Sequence, residues 1–199
     1  MNLFNKDLEK EIVVIAEIGV NHEGSVDSAM HLISLAHESG ADAVKFQSYT
    51  PERFIAFNDI ERMKRVKKFH LDESDHLRLI DHSNSIGIPF FSTAVTEDWI
   101  DFLNQNTSVI KIASGDITFE ATIRSAAETG KKVILSTGGS TLKEVHQAIN
   151  WFKESSKIKD INEKLILMHC ISSYPTSLED ANLNSIRYLQ KETGLNVGY

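Results

Sequence analysis

The chain has 199 residues, 41% of them hydrophobic and 25% charged, enough apolar material for one substantial core and too little for a membrane or disordered class. A formal net charge of −7 argues against a general nucleic-acid-binding face, so any anion site has to be a local pocket. The single cysteine, Cys170, excludes an internal disulfide, no window reaches the roughly 18 apolar residues of a membrane helix, and the N-terminus lacks a secretory-signal pattern. A cytoplasmic protein is expected, comprising one domain or part of one.

In chain order, strand-like and helix-like segments alternate, with short Gly, Ser, Asp or Pro punctuation between them. A first strand over roughly 12–18 ends at Glu17. A helix then opens near Ser25, carries Ala29, Leu32, Ile33 and Ala36 at helical spacing, and stops at Gly40. The second strand is ADAVKFQSY. Residues 50–69 are rich in charge and aromatics without clean alternation, and read as an excursion over the strand ends that acts as a lid. A helix over 72–85, capped by Asp72 with Asp75 in its first turn, leads through Gly87 and Pro89 into the strand PFFSTA. Helix 97–105, strand VIKIASG, helix 119–129, strand KVILSTG, helix 141–155, strand LILMHC, helix 182–192 and a last strand opening at NVGY complete the cycle.

This repeated order predicts an α/β fold of the TIM-type (β/α)8 barrel class, incomplete over residues 1–199, with about six βα units and the start of a seventh strand. In such folds ligands gather at the carboxyl ends of the strands. Those ends carry Glu17, Lys45, Thr93, Lys111, Ser114, Ser136 and Ser172. Lys45 in VKF and Lys111 in IKI are flanked by apolar residues. An unpaired ammonium there is costly, so a partner anion is the better explanation of both. Paired lysines with hydroxyls suit a phosphate or carboxylate. Glu17 reads as a catalytic carboxylate, with a salt bridge to a lysine as the alternative or companion role. Asn21 and His22 follow it in a loop. His169 and Cys170 are adjacent on a strand and so face opposite ways, which argues against their sharing a metal or nucleophilic centre. Tyr174, in SYPT, either closes over a ligand or packs in a proline-fixed turn. His31, His37, His70, His76, His82 and His146 are expected at helix surfaces.

The segments AEIGVNHEGS, GADAVKFQS, FSTAV, IKIASGD, ILSTGGS and HCISSYPT, taken in order over nearly the whole chain, resemble the sialic acid synthase family. The resemblance includes the synthases of legionaminic and pseudaminic acids. It implies a cytoplasmic transferase of carbohydrate biosynthesis that condenses phosphoenolpyruvate with an N-acetylated hexose, such as N-acetylmannosamine, and releases phosphate. On that reading Lys45, Thr93, Lys111, Ser114, Ser136 and Ser172 hold phosphoenolpyruvate, Glu17 is catalytic and faces the sugar, and Tyr174, Asn21 and His22 line the substrate site. The family also implies a divalent metal, Mn or Mg. Its histidine ligands correspond to a GYSDH segment opening at the final Gly-Tyr and to a later strand, so this chain is expected to carry none of them. A homodimer with a C-terminal antifreeze-like domain is implied for the full-length protein, with residues 1–199 inactive in isolation. No nucleic-acid or membrane partner is expected. The rival readings are a Schiff-base aldolase using Lys45 or Lys111, a relative that condenses the same donor with a phosphorylated acceptor, and a non-catalytic barrel portion that binds a phosphorylated ligand.

Overall fold

The computed structural model describes residues 1–158 and 160–199. They form two compact units, Met1–Ser108 and Val109–Tyr199. Each contains parallel strands returned by helices.

The first unit opens with an antiparallel ribbon, β1 (Asn2–Leu3) and β2 (Lys6–Asp7), too short to leave a periodic signal in the sequence. Phe4 and Asn5 at its turn have φ of 48° and 68°, the left-handed backbone of a two-residue hairpin. Then come β3 (Ile15–Gly19), α1 (Val26–Glu38), β4 (Ala43–Ser48), α2 (Pro51–Phe54), α3 (Ile60–Phe69), α4 (Glu73–Ile86), β5 (Phe90–Ala94) and α5 (Ile100–Asn106). Strands β3, β4 and β5 pair in parallel, in that order. The helix starts follow the expected chemistry. Ser25 accepts from the Ser28 amide to cap α1, and Asp72 with Asp75 forms a reciprocal capping box on α4.

Strand alternation divides the side chains of this sheet between two faces. Val44, Phe46 and Phe90 point into a core with Ala29, Ile33 and Leu79 from the helices. Lys45, Gln47, Phe91 and Thr93, one residue out of phase, occupy the opposite face. There the Phe4 ring meets Phe91, with centroids 5.4 Å apart.

Residues 50–69, expected as an irregular lid, contain helices α2 and α3 with a small core of their own, Tyr49, Ile55 and Val66. The Tyr49 hydroxyl donates to the Val66 carbonyl at 3.1 Å, and burial pushes that phenol up to about 12. The loop after β3 passes very close to α3. A Cβ at Gly24, where φ is +85°, would lie 2.1 Å from the Lys68 carbonyl oxygen, so only glycine permits this crossing.

The second unit runs β6 (Val109–Ile112), α6 (Glu120–Glu128), β7 (Lys132–Ser136), α7 (Leu142–Ser155), β8 (Leu165–Met168), α8 (Asn184–Thr193) and β9 (Asn196–Gly198). These four strands are also parallel and follow chain order. All four residues of β6 are buried, as befits a parallel strand covered on both faces. Helices α6 and α7 pack on one another, burying Ile123, Ala126 and Ala127 on one and Val145, Ala148 and Phe152 on the other. Thr141 and Glu144 form the capping box of α7, so its first-turn amides are already engaged.

His76 corrects the expectation that the helix histidines lie at the surface. It is 1% exposed, with Nε2 2.9 Å from the Ser48 hydroxyl and Nδ1 2.9 Å from the Asp72 carbonyl oxygen. Ser48 in turn meets Ser92 at 2.7 Å, so the sheet presents hydroxyls where α4 presents an imidazole. Burial lowers the His76 pKa from 6.5 to about 4. Between those values the unfolded chain binds the proton that the folded chain refuses, so stability is complete above about pH 6.5 and falls as pH drops toward 4. The loss should reach about 3 kcal/mol. Thermal unfolding between pH 7 and 4.5 should show this decline, and His76→Gln should flatten it.

Candidate functional site

Both strand lysines are buried, at 8% exposure each, and both are held in the same way. On β4, Lys45 lies in register with Phe91 of β5 and with Glu17 of β3. Its Nζ extends toward the carboxyl end of the sheet and donates to Thr93 Oγ1, two residues beyond that register partner, at 2.6 Å. It also donates to the carbonyl of the next residue, Phe46, at 3.3 Å, and pairs with Glu17 Oε2 at 2.8 Å. On β6, Lys111 lies in register with Ile134 of β7, and its Nζ donates to Ser136 Oγ, again two residues beyond, at 2.6 Å. Here too the carbonyl of the following residue, Ile112, accepts, at 2.6 Å. The cause is common to both. A four-carbon stem on a parallel strand leans along the strand direction and brings its charge to the next hydroxyl on the same face.

In the first unit the cluster is therefore Glu17, Lys45 and Thr93. Burial lowers the Lys45 pKa, and the neighbouring Glu17 charge and hydrogen bond work against that shift. The salt bridge considered for Glu17 is present, although its side chain is 53% exposed and keeps one edge toward solvent. Gly19, with φ of +58°, sits between Glu17 and Gln47: a Cβ there would lie 3.1 Å from Glu17 Oε1 and 3.6 Å from Gln47 Nε2. Gln47 is a candidate that the sequence reading missed. Its signal was its place two residues after Lys45 on one strand, hence on the same face.

In the second unit the cluster is Lys111, Ser114, Ser136 and Ser172, gathered about the glycines of the STGGS segment. The Gly138 amide donates to Ser114 Oγ at 3.0 Å. A Cβ on Gly138 would lie 2.9 Å from that hydroxyl and 3.1 Å from both the Cβ and the carbonyl oxygen of Cys170, and one on Gly139 would lie 3.3 Å from Ser172 Oγ. Two adjacent residues without side chains thus let three polar side chains approach the backbone. Cys170 Sγ lies 3.4 Å from Ser136 Oγ, which places the thiol inside the cluster. Half-buried Asp116 is a second missed residue. Burial raises its pKa, and the Lys111 charge counters that rise.

Several expected residues lie apart from these clusters. His22 was expected to line the site, but it is 2% exposed, stacks on Phe46 with centroids 5.9 Å apart, and accepts the Gly24 amide proton at Nδ1. Its geometry is that of a residue that holds the loop. Asn21 is exposed, and the Tyr174 ring is 97% exposed, neither packed in its turn nor over a cluster. His169 turns away from Cys170, as strand alternation required, and its Nε2 meets the Ala181 carbonyl at 2.9 Å. Among the described residues no group of three or more His, Cys, Asp or Glu side chains could hold a metal ion. No helix among them is long and apolar enough to cross a membrane.

Comparison with known proteins places this arrangement among related chains. The model of the NeuB family matches residues 32–199. An uncharacterised protein of Methanocaldococcus jannaschii is 43% identical over 187 residues, covering 94% of this chain and 54% of that protein. The N,N'-diacetyllegionaminic acid synthase of Campylobacter jejuni is 36% identical over 205 residues, covering 96% of this chain and 60% of the synthase. The crystal structure of an N-acetylneuraminic acid synthetase from Leptospira borgpetersenii, in complex with citrate, superposes with a TM-score of 0.88 at 33% identity, covering 96% of this chain and 65% of that one. The fold class is the α/β, TIM-type one expected. The chain spans little more than half the length of the curated relatives it matches.

Because Gly138 meets Ser114 and Cys170 at or inside contact distance, Gly138→Ala should cost about 1–3 kcal/mol through overpacking. Thermal unfolding would measure that loss, and titration with inorganic phosphate should show weakened anion binding in the same variant.

Proposed function

The chain belongs to the NeuB family, and from that premise we propose that it is part of a synthase that condenses phosphoenolpyruvate with an N-acetylated hexose to give a nine-carbon 2-keto acid and phosphate. The observation that carries this reading is the buried Lys111 ammonium beside the Ser136 and Ser114 hydroxyls and a glycine pair. Such a cradle matches the phosphate and carboxylate of phosphoenolpyruvate, because charge-assisted hydrogen bonds to a preorganised ammonium are the strong kind. The named relatives of known activity are synthases of related sugar acids, which supports the same class here.

In this proposal Lys111, Ser114, Ser136 and Ser172 bind the donor. In the first unit, Lys45 and Thr93 supply a further ammonium and hydroxyl for an anionic group, and Glu17 offers its exposed edge to a hydroxyl of the sugar or to a proton in transfer. Asn21, His22 and Tyr174 belong to the proposal through the family resemblance alone. Carbon 3 of phosphoenolpyruvate attacks the open-chain sugar aldehyde, water adds at carbon 2, and phosphate leaves by C–O cleavage. Fixed positive charge stabilises the intermediate formed in between. The divalent metal implied by the family finds no ligand set among the described residues, so each of these roles falls to the chain's own side chains. The full-length protein is proposed to be a cytoplasmic homodimer.

One observation favours a second reading. Burial lowers the Lys45 pKa, the direction that a Schiff-base lysine needs. All three of its partners, however, are acceptors that hold the protonated form.

Calorimetric titration with phosphoenolpyruvate tests the proposal, with folding checked by circular dichroism. Lys111→Ala should weaken binding about tenfold or more. Unchanged affinity in a folded variant would refute the cradle assignment. Treatment with pyruvate and borohydride should leave the mass of the chain unchanged, whereas a trapped adduct on Lys45 or Lys111 would establish the aldolase reading instead.

A further inference from the structure

We propose that Cys170 is a positioning residue of the anion cradle: its thiol occupies a lone pair of Ser136 Oγ and thereby directs the Ser136 hydroxyl proton outward, toward the bound anion. This inference rests on the donor-binding reading of the same cluster.

A serine hydroxyl has one proton to give and two lone-pair positions to receive. At Ser136 the first is taken by Lys111 Nζ at 2.6 Å, and an ammonium accepts nothing in return. The second faces Cys170 Sγ at 3.4 Å. Two arrangements satisfy that contact: the thiol donates to the hydroxyl, or the hydroxyl donates to sulfur. Sulfur is a weak acceptor, whereas a hydroxyl donating to an anion makes a charge-assisted bond about twice as strong as a neutral one. With an anion in the cradle, therefore, the thiol proton goes to Ser136 and the Ser136 proton goes to the ligand.

Ser114 is arranged on the same principle. Its oxygen accepts the Gly138 amide proton at 3.0 Å, which leaves its own proton to give. Gly138 links the two, since a side chain there would press on both Ser114 and Cys170. Lys111, Ser136 and Ser114 thus present donors, while N–H and S–H groups of the protein itself occupy lone pairs of the two serine oxygens. Such a surface selects fully ionised phosphate or carboxylate over a neutral sugar hydroxyl, which would bring a proton that finds no acceptor.

Calorimetry with phosphoenolpyruvate on the wild-type chain and on Cys170→Ala, Cys170→Ser, Ser136→Ala and the double variant Ser136→Ala/Cys170→Ala tests this. Cys170→Ala should weaken binding about three- to tenfold, the worth of one hydrogen bond. Cys170→Ser, which keeps a donor at that position, should recover most of the loss. In the Ser136→Ala background the cysteine substitution should change nothing further, because its effect runs through Ser136. Equal affinities for wild type and Cys170→Ala would overturn the inference while leaving the cradle intact. It is overturned equally if Cys170→Ser is as weak as Cys170→Ala, or if the loss persists without the Ser136 hydroxyl, since either outcome marks a packing role. A folded wild-type chain that binds no phosphoenolpyruvate would overturn the cradle and this inference together.

Discussion

Two ammonium groups embedded in apolar parallel strands set the terms for the rest of this structure. A charge withdrawn from water costs several kcal/mol unless oxygen atoms replace the lost hydration, and each lysine finds that replacement on the adjacent strand. Lys45 reaches Thr93, and Lys111 reaches Ser136. Both contacts require parallel pairing in one definite register, since a slip of one residue would send the hydroxyl to the other face of the sheet. The polar clusters and the strand register are therefore mutually dependent: the register delivers the hydroxyl, and the hydroxyl rewards the register.

The two clusters differ in what surrounds the ammonium. Around Lys45 the compensating charge is internal, supplied by Glu17, whose side chain remains half in solvent. Around Lys111 the hydrogen-bond acceptors Ser136 and Ile112 are neutral oxygens, and the glycine pair of STGGS draws more hydroxyls toward the backbone. Half-buried Asp116 lies within electrostatic reach of that lysine. A carboxylate-paired ammonium and a hydroxyl-rich one offer different chemistry to a ligand. The first is suited to a polar substrate that also needs a carboxylate. The second is suited to an anion that completes the shell.

The helical layer shows the same economy with polar groups. His76 could be buried only because Ser48 on β4 and the Asp72 carbonyl provide one partner for each ring nitrogen. The excursion over 50–69 is anchored by Tyr49 and by the passage of Gly24 beneath the Lys68 carbonyl. Its order thus depends on one phenol and one glycine, each from a segment outside helices α2 and α3.

The sequence by itself determined the order of strands and helices, their caps and the α/β class. These rest on local periodicity and on residues such as Ser25, Asp72 and Thr141, whose side chains act within a turn of their own position. It also located most of the polar residues at the strand ends, because a lysine between apolar neighbours stands out in a linear reading. It did not reveal the β1–β2 ribbon, the helices of the 50–69 excursion, the burial of His76 and His22, or the entry of Gln47, Asp116 and Cys170 into the clusters. Each of these depends on contacts between residues distant in sequence. Only the tertiary structure decided which hydroxyl meets which lysine, and that the thiol next to His169 turns toward Ser136, because inter-strand register and close backbone approach at glycine are properties of the paired sheet and not of any one segment.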